Sequence, residues 1–123
     1  PAGNVRRGEL TDRYRANLHG SAVLVPFENQ ALNLRSVYHI LPVLLPKGAD
    51  RVAVIGELKK NKIQSSIHYP PFWGFSAYKR QFSPVDSPVT AQICSRQLTL
   101  PLFPSMTNSE VDQVTKALLE AVK

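Results

Sequence analysis

The sequence contains a single cysteine, Cys94, and no hydrophobic run long enough to cross a bilayer. One cysteine cannot form an internal disulfide, which favours a reducing, cytoplasmic setting. A membrane-spanning helix needs about 20 consecutive apolar residues, whereas Pro42 interrupts the longest apolar stretch, residues 37–45. We therefore expect no membrane span. The N-terminus lacks both an initiating methionine and the layout of a signal peptide, so we expect it to be a cut or processed boundary.

Signatures of common catalytic and metal sites are also missing. The six glycines are scattered singly, which excludes a Gly-rich phosphate loop, and there is no GxSxG, HExxH or CxxC pattern. None of the three histidines has a second ligand at metal-binding spacing, so we expect no metal site. The net charge is +6, but the basic residues are mostly dispersed. Only Lys79 and Arg80, beside Tyr78 and Phe82, hint at nucleic-acid binding, and we expect no nucleic-acid partner.

What the sequence does contain is enough for one compact domain, since 43% of its 123 residues are hydrophobic. Leu10, Tyr14 and Leu18 recur at intervals of four, which predicts an amphipathic helix over residues 6–18. Gly20 follows, and glycine readily adopts the left-handed conformation that ends helices. The residues from 21 to 35 are predicted to form an irregular connector.

Three apolar runs, residues 37–45, 63–69 and 98–103, predict short strands. The first is apolar on both sides, which indicates burial of both faces, and Pro42 favours a position at an edge or a bulge. Between the first two runs, Asp50 is a predicted N-cap for a helix. The apolar stripe predicted for this helix is Val52, Ile55 and Leu58. Strand, helix and strand together outline a crossover unit.

Two further helices are predicted in the second half of the chain. Ser87 and Pro88 favour a helix start, with Val89 and Ile93 continuing as an apolar face to about residue 97. Thr107 and Glu110 match a capping box. The helix that follows should bury a stripe that consists of Val111, Val114, Leu118 and Val122. The predicted fold class is α+β, with a small, mostly antiparallel sheet and helices packed on it.

Residues 68–78 are the main exception to this ordinary composition. They concentrate a histidine, several aromatic residues and two prolines in one segment just past a predicted strand. Loops at strand ends are common binding sites. Aromatic side chains also cover apolar surface for structural reasons, so a ligand-contacting segment and a core-sealing one are equally compatible with the sequence.

Four segments, in order and with compatible spacing, resemble the C-terminal small domain of the DegT/DnrJ/EryC1/StrS sugar aminotransferases, which are pyridoxal-phosphate-dependent enzymes of fold type I. The segments are Arg6-Arg7 with the helix that follows, residues 36–39, residues 63–71 with Ala77-Tyr78, and residues 98–104 with Met106-Thr107 and Glu110-Val111. The resemblance covers essentially the whole chain. It implies a single domain over residues 1–123, in which residues 1–20 form the linking helix from a large domain.

The resemblance implies that the parent enzyme transfers an amino group, usually from glutamate, to a keto sugar on a nucleotide carrier. In that family the large domain supplies the lysine that holds pyridoxal phosphate. The resemblance starts after that lysine, so it implies no catalytic residue in this chain and no cofactor bound by the chain alone. It also implies a cytoplasmic homodimer. The alternative is a stand-alone, non-catalytic module with the same fold that binds a ligand or another protein.

The resemblance assigns a substrate-binding role to His68, Tyr69 and Trp73, which would line the outer wall of the active-site cleft or contact the neighbouring subunit. For each of them, packing in the core is the alternative. Three positions depart from the family pattern. Trp73 stands where many members have histidine, Ala91 where glutamate is frequent, and Lys62 where glycine is usual. The departure at Trp73 puts a polar substrate contact there in doubt.

Overall fold

The computed structural model describes residues 2–27, 36–78 and 87–123. These ranges contain the helices α1 (Ala2–Leu18), α2 (Arg51–Lys60), α3 (Pro88–Arg96) and α4 (Asn108–Ala121), and the strands β1 (Leu41–Leu44) and β2 (Gln97–Leu100). One turn of 3-10 helix, Phe72–Gly74, lies between α2 and α3. The two strands pair antiparallel and helices pack on them, which confirms the predicted α+β class.

Single backbone bridges widen the two-stranded sheet on both sides. Leu24 pairs antiparallel with Leu44 of β1, and Ser66 pairs antiparallel with Thr99 of β2. Because β1 and the Ser66 segment both run antiparallel to β2, they run parallel to each other with β2 between them. The chain passes from one to the other through α2. This arrangement has the strand–helix–strand direction of the predicted crossover unit.

The first strand is shorter than predicted because its N-terminal half is held by α1. Tyr38 has a φ of 48°, which no extended strand can accommodate. Arg7 donates from Nε to the Tyr38 carbonyl at 2.8 Å and from Nη2 to the Val37 carbonyl at 3.1 Å. These carbonyls are therefore satisfied by a helix side chain rather than by a neighbouring strand.

The second predicted strand, residues 63–69, is reduced to the single bridge at Ser66. If the register continued in one direction, Gln64 would face Pro101, which has no N–H to donate. In the other direction, His68 would face Gln97, but the His68 N–H donates to the Gln97 side chain instead. Pairing thus stops on both sides of the bridge. The third predicted strand is observed as β2, residues 97–100.

The hydrophobic core lies between the sheet and helices α1, α2 and α4. We call the sheet surface formed by Leu41, Val43, Leu98 and Leu100 the core face; each of these residues is at most 3% exposed. Helix α4 contacts both α1 and α2. The Tyr14 hydroxyl, at the centre of this layer, donates to the Pro101 carbonyl at 3.0 Å, and burial raises the pKa of its phenol.

The predicted helix caps are confirmed. Asp50 accepts hydrogen bonds from the backbone of Val52 and Ala53 at the start of α2. Thr107 and Glu110 form the capping box of α4. Ser87 stands at the N-cap of α3, but its side chain makes no capping hydrogen bond.

The predicted apolar faces of the helices are only partly correct. The α4 stripe is buried at Val111, Val114 and Leu118. In α2, by contrast, Val52 is 78% exposed and Val54 is buried in its place. In α3 no residue is buried, since Val89 is 67% and Ile93 is 42% exposed. The i, i+4 pattern of α3 therefore marks an apolar surface rather than a core contact.

A polar cluster connects α1 to α4 on the outside of the helix layer. Arg13 donates two hydrogen bonds to the Asp112 carboxylate, at 2.8 and 2.6 Å, and Asn17 donates a third at 2.8 Å. The hydrogen bond from Arg13, followed by that from Asn17, lowers the pKa of Asp112 to about 2. This cluster fixes the two helices side by side.

Within the described ranges, no helix combines the length and the hydrophobicity that a bilayer crossing requires. Lys79, Arg80 and Phe82, on which the hint of nucleic-acid binding rested, lie outside those ranges, as does much of the predicted connector, at residues 28–35.

Candidate functional site

On the sheet surface opposite the core face, β2 contributes polar side chains, whereas β1 contributes Pro42 and Leu44. Gln97 and Thr99 alternate along β2 with Leu98 and Leu100, so their side chains point away from the helices. Each is only 5% exposed. We call the surface formed by Gln97, Thr99 and the His68 side chain above them the polar face. Because a buried polar group requires hydrogen-bond partners, the contacts of these residues are informative.

His68 is attached to β2 at two points. Its backbone N–H donates to Gln97 Oε1 at 3.0 Å, and its ring Nδ1 lies 3.0 Å from Thr99 Oγ1. Gln97 Nε2 completes the ring of contacts by donating to the same Thr99 oxygen at 2.7 Å. The imidazole is thereby held at a fixed position over the sheet while remaining half-buried.

Tyr69 lies beside His68 at the edge of the polar face. The two rings meet edge to face with centroids 5.0 Å apart. Tyr69 is 73% exposed. Its ring therefore lies against the fixed ring of His68 and remains accessible to solvent or to a ligand.

Trp73 occupies a different environment. It lies in the 3-10 turn, is 9% exposed, and packs its ring against Phe72 at a centroid distance of 5.2 Å. It is not a member of the hydrophobic core formed with α1, α2 and α4. The structure thus brings the rings of His68 and Tyr69 together, whereas the ring of Trp73 packs against Phe72.

The segment around Trp73 presents further aromatic surface. Phe72 and Tyr78 meet edge to face at 6.2 Å. Tyr69, Phe72, Phe75 and Tyr78 each have between 41% and 73% of their surface exposed. Contiguous exposed apolar surface often marks a contact site. The segment that the sequence singled out, residues 68–78, is therefore both folded and outward-facing.

Sequence reasoning missed Gln97 and Thr99. One signal could have indicated them, because the run Gln97-Leu98-Thr99-Leu100 alternates polar and apolar residues at the strand period of two. That alternation predicts a strand with one polar face. The identity of the partner above that face, His68, depends on the tertiary fold and is not visible in the local pattern.

A cleft of about 590 Å³ lies at the edge of the sheet, beside the bridge between Ser66 and Thr99. It opens between residues 61–66 and 99–103, where Pro101 stops strand pairing, and α4 forms another of its walls. Its lining includes Ile63, Gln64, Leu102, Phe103, Met106 and Val114. His68, Tyr69 and Trp73 are not among its lining residues. Thr99, which contacts His68, also lines this cleft, so the cleft adjoins the polar face although the predicted site residues are not part of its lining.

The described lysines lack the surroundings that are typical of a lysine that holds pyridoxal phosphate. A Schiff-base lysine is typically desolvated in a pocket or placed next to another cationic group, whereas every lysine that the structure describes is exposed. In the same parts of the chain, no group of three or more His, Cys, Asp or Glu side chains could hold a metal ion. The polar face can instead position a ligand, through the imidazole of His68 and the exposed ring of Tyr69.

Comparison with known proteins gives consistent matches along the whole length of the chain. The sequence profile of the DegT/DnrJ/EryC1/StrS aminotransferase family matches residues 2–119. The spore coat polysaccharide biosynthesis protein SpsC of Bacillus subtilis (strain 168) is 30% identical over an alignment of 125 residues. The alignment covers 96% of this chain and 32% of that protein.

Solved structures show the same fold. A protein of Streptococcus pneumoniae named as a sugar aminotransferase, Spr1654, superposes in its PLP form with a TM-score of 0.91 and 27% identity, over 99% of this chain and 32% of that one. DesV of S. venezuelae, in complex with a ketimine intermediate, gives a TM-score of 0.83 and 25% identity, over 98% of this chain and 32% of that one. The chain spans about a third of the length of these relatives.

Proposed function

The chain belongs to the DegT/DnrJ/EryC1/StrS aminotransferase family, and from this we propose that it is the C-terminal small domain of a pyridoxal-phosphate-dependent sugar aminotransferase. The observation that carries the proposal is the extent of the structural match. Almost all of this chain, 99%, superposes on only 32% of a relative in its PLP form, with a TM-score of 0.91. A chain of this size thus corresponds to one part of a larger enzyme.

The proposed reaction transfers the amino group of glutamate to a keto sugar carried on a nucleotide, and leaves 2-oxoglutarate. The names of the relatives support a sugar substrate, since one is a spore coat polysaccharide biosynthesis protein and another is named as a sugar aminotransferase. Pyridoxal phosphate would act as the electron sink for this transfer. Because the described lysines are exposed, its anchoring lysine belongs, in this proposal, to a large domain outside these residues.

The proposed contribution of this domain is to bind the substrate and the neighbouring subunit. His68 offers a fixed ring nitrogen, and Tyr69 offers an exposed ring beside it. Trp73 would act mainly by holding the aromatic segment in place, since it is 9% exposed. The uncovered apolar face of α3, formed by Val89 and Ile93, supports a contact with another domain or with the second subunit of a cytoplasmic homodimer.

The location of the cofactor lysine can be tested by borohydride reduction in the presence of pyridoxal phosphate. We expect the 123-residue chain to gain no pyridoxyl group at one specific lysine, beyond the unselective labelling of exposed lysines. The natural gene product that contains it should gain one, on a lysine outside residues 1–123. Mass spectrometry of proteolytic peptides identifies the site. The same gene product should form 2-oxoglutarate from glutamate when nucleotide-linked keto sugars are supplied.

Two results would contradict the proposal. The first is a stable, site-specific pyridoxyl adduct on one of the lysines of this chain. The second is a natural gene product that ends at these residues and still binds a ligand or a protein, which would favour the stand-alone module. Pyridoxal 5′-phosphate treatment of bovine serum albumin, in which accessible lysines react without selectivity, is a suitable control for non-specific adducts.

A further inference from the structure

The hydrogen bonds on the polar face have a direction that the donor and acceptor capacities of the groups determine. The backbone N–H of His68 can only donate, so the Gln97 side-chain atom 3.0 Å from it must be the carbonyl oxygen Oε1. This orients the amide. Its other end, Nε2, then faces Thr99 Oγ1 at 2.7 Å and can only donate to it.

The hydroxyl of Thr99 is in turn left with one proton to donate. Thr99 is 5% exposed, and a buried hydroxyl proton without an acceptor is unfavourable. In the part of the chain that the structure describes, the ring Nδ1 of His68, 3.0 Å away, is the acceptor within its reach. The Thr99 hydroxyl therefore donates to Nδ1, and a neutral imidazole carries its proton on Nε2.

The second ring nitrogen remains available. Nε2 of His68 makes no hydrogen bond with the residues of ranges 2–27, 36–78 and 87–123, and it is not among their buried polar atoms that lack a partner. It is therefore in contact with solvent, while the Nδ1 side of the half-buried ring is hydrogen-bonded to Thr99. Such an N–H can donate to an oxygen of a bound molecule.

We propose that Gln97 and Thr99 are positioning residues that hold His68 in its Nε2–H tautomer, so that His68 presents a hydrogen-bond donor to an acceptor oxygen of the ligand. A phosphate, a carboxylate and a sugar hydroxyl or carbonyl all offer such an oxygen. The tautomer depends only on the contacts within this chain. The role towards a ligand rests on the proposed function, in which the ligand is a sugar nucleotide or the amino donor.

The tautomer is measured directly by NMR of the ring nitrogens in the ¹⁵N-labelled chain at alkaline pH, where a histidine ring is neutral. We expect the Nε2–H form of His68 to predominate. Replacing Thr99 by valine removes the donor with little change of shape, and should lower the ratio of Nε2–H to Nδ1–H about fivefold, the effect of one net hydrogen bond. The matched variant Thr99→Ser keeps the hydroxyl and should keep the ratio.

A second variant makes the test independent of any folding defect in Thr99→Val. Gln97→Met removes the donation to Thr99 Oγ1, which leaves that oxygen free to accept from an Nδ1–H of His68 instead, so the same ratio should fall. A predominant Nδ1–H form in the unchanged chain overturns the proposal. So does an unchanged ratio in both Thr99→Val and Gln97→Met, with circular dichroism showing that the variants are folded.

Kinetics of the natural gene product separate this proposal from the proposed function. If His68 donates to the sugar nucleotide, Thr99→Val should raise KM for that substrate severalfold. Thr99→Ser, which keeps the hydroxyl, should leave KM near the value of the unchanged protein. A change of tautomer in Thr99→Val without any change of KM or kcat confirms only that Thr99 sets the tautomer of His68. That same result contradicts the assignment of His68 to the substrate, and leaves the adduct experiment to decide the enzyme class.

Discussion

The two surfaces of the small sheet differ although strand β2 contributes alternate residues to both of them. The core face consists of Leu41, Val43, Leu98 and Leu100, which are sealed beneath helices. The polar face, one residue out of phase along β2, contains Gln97 and Thr99, which are equally buried but hold a histidine by hydrogen bonds. Nearly equal burial thus stabilises the fold on one side and positions a side chain on the other.

This difference indicates how burial should be interpreted in this domain. On the core face the free energy comes from removing apolar surface from water, about 25 cal/mol per Å². On the polar face each buried group exchanges a hydrogen bond to water for one to protein, which is worth about 0.5–1.5 kcal/mol net. Substitutions on the two faces should therefore differ in size and in what they disturb.

The largest expected effect is a loss of stability on the core face. Leu98 is 0% exposed, and replacing a buried leucine by alanine costs about 2–5 kcal/mol, because apolar contacts are lost and a cavity remains. The adjacent Thr99→Val, on the polar face, should cost less, about 1–2 kcal/mol, because it leaves the Gln97 amide without its acceptor. Urea unfolding of the two variants measures both values. Equal losses would show that the two faces are not distinct in their energetics.

A smaller effect of opposite sign is expected at the end of α2. Lys62 has a φ of 61°, and its N–H donates to the Lys59 carbonyl at 2.9 Å, while Ile63 donates to Leu58 at 2.9 Å. These are the two hydrogen bonds of a Schellman motif, in which glycine usually occupies the left-handed position. A lysine there costs about 1–2 kcal/mol, so Lys62→Gly should stabilise the domain by about 0.5–1 kcal/mol after the entropy cost of glycine.

The matched control is Lys59→Gly, three residues earlier and also exposed. Its backbone is helical, so glycine should destabilise there by up to about 1 kcal/mol. The melting temperatures of the two variants should therefore move in opposite directions. The His68 ring signals should move in neither variant, because α2 packs on the core side. A changed His68 tautomer in Lys62→Gly would mean that the two sides are coupled.

The sequence predicted what depends on local patterns. The α4 stripe of Val111, Val114 and Leu118 follows from its period and from the capping box before it. The family resemblance marked Lys62 as a departure from a glycine position, and its positive φ gives the physical reason. In both cases neighbours in the chain determine the structure.

Predictions that depended on tertiary neighbours were less successful. Helix α2 has apolar residues at 52, 53, 54, 55 and 58, so more than one stripe fits its period, and the contact with α4 selects Val54 over Val52. The strand predicted at residues 37–45 lost its first half to the side chain of Arg7. His68 could be proposed from the sequence, whereas Gln97 and Thr99 could not, because 29 and 31 residues separate them from it along the chain.

The smallest expected effect is a pH dependence that belongs to the helix layer alone. Arg13 and Asn17 lower the pKa of Asp112 from 3.8 to about 2 in the folded domain. A carboxyl group with a lowered pKa stabilises the folded state above its unfolded pKa, and that contribution disappears as the pH falls through the folded one. The stability advantage of the chain over Asp112→Asn should thus be complete above about pH 5 and absent by about pH 1. Urea midpoints of the two proteins across that range measure this advantage.

Arg13→Gln removes the principal cause of the lowered pKa and keeps Asn17, so the pH dependence of this variant should be weaker but present. A difference between the chain and Asp112→Asn that stays constant down to the lowest pH would show that the cluster acts through packing rather than through the charge of Asp112.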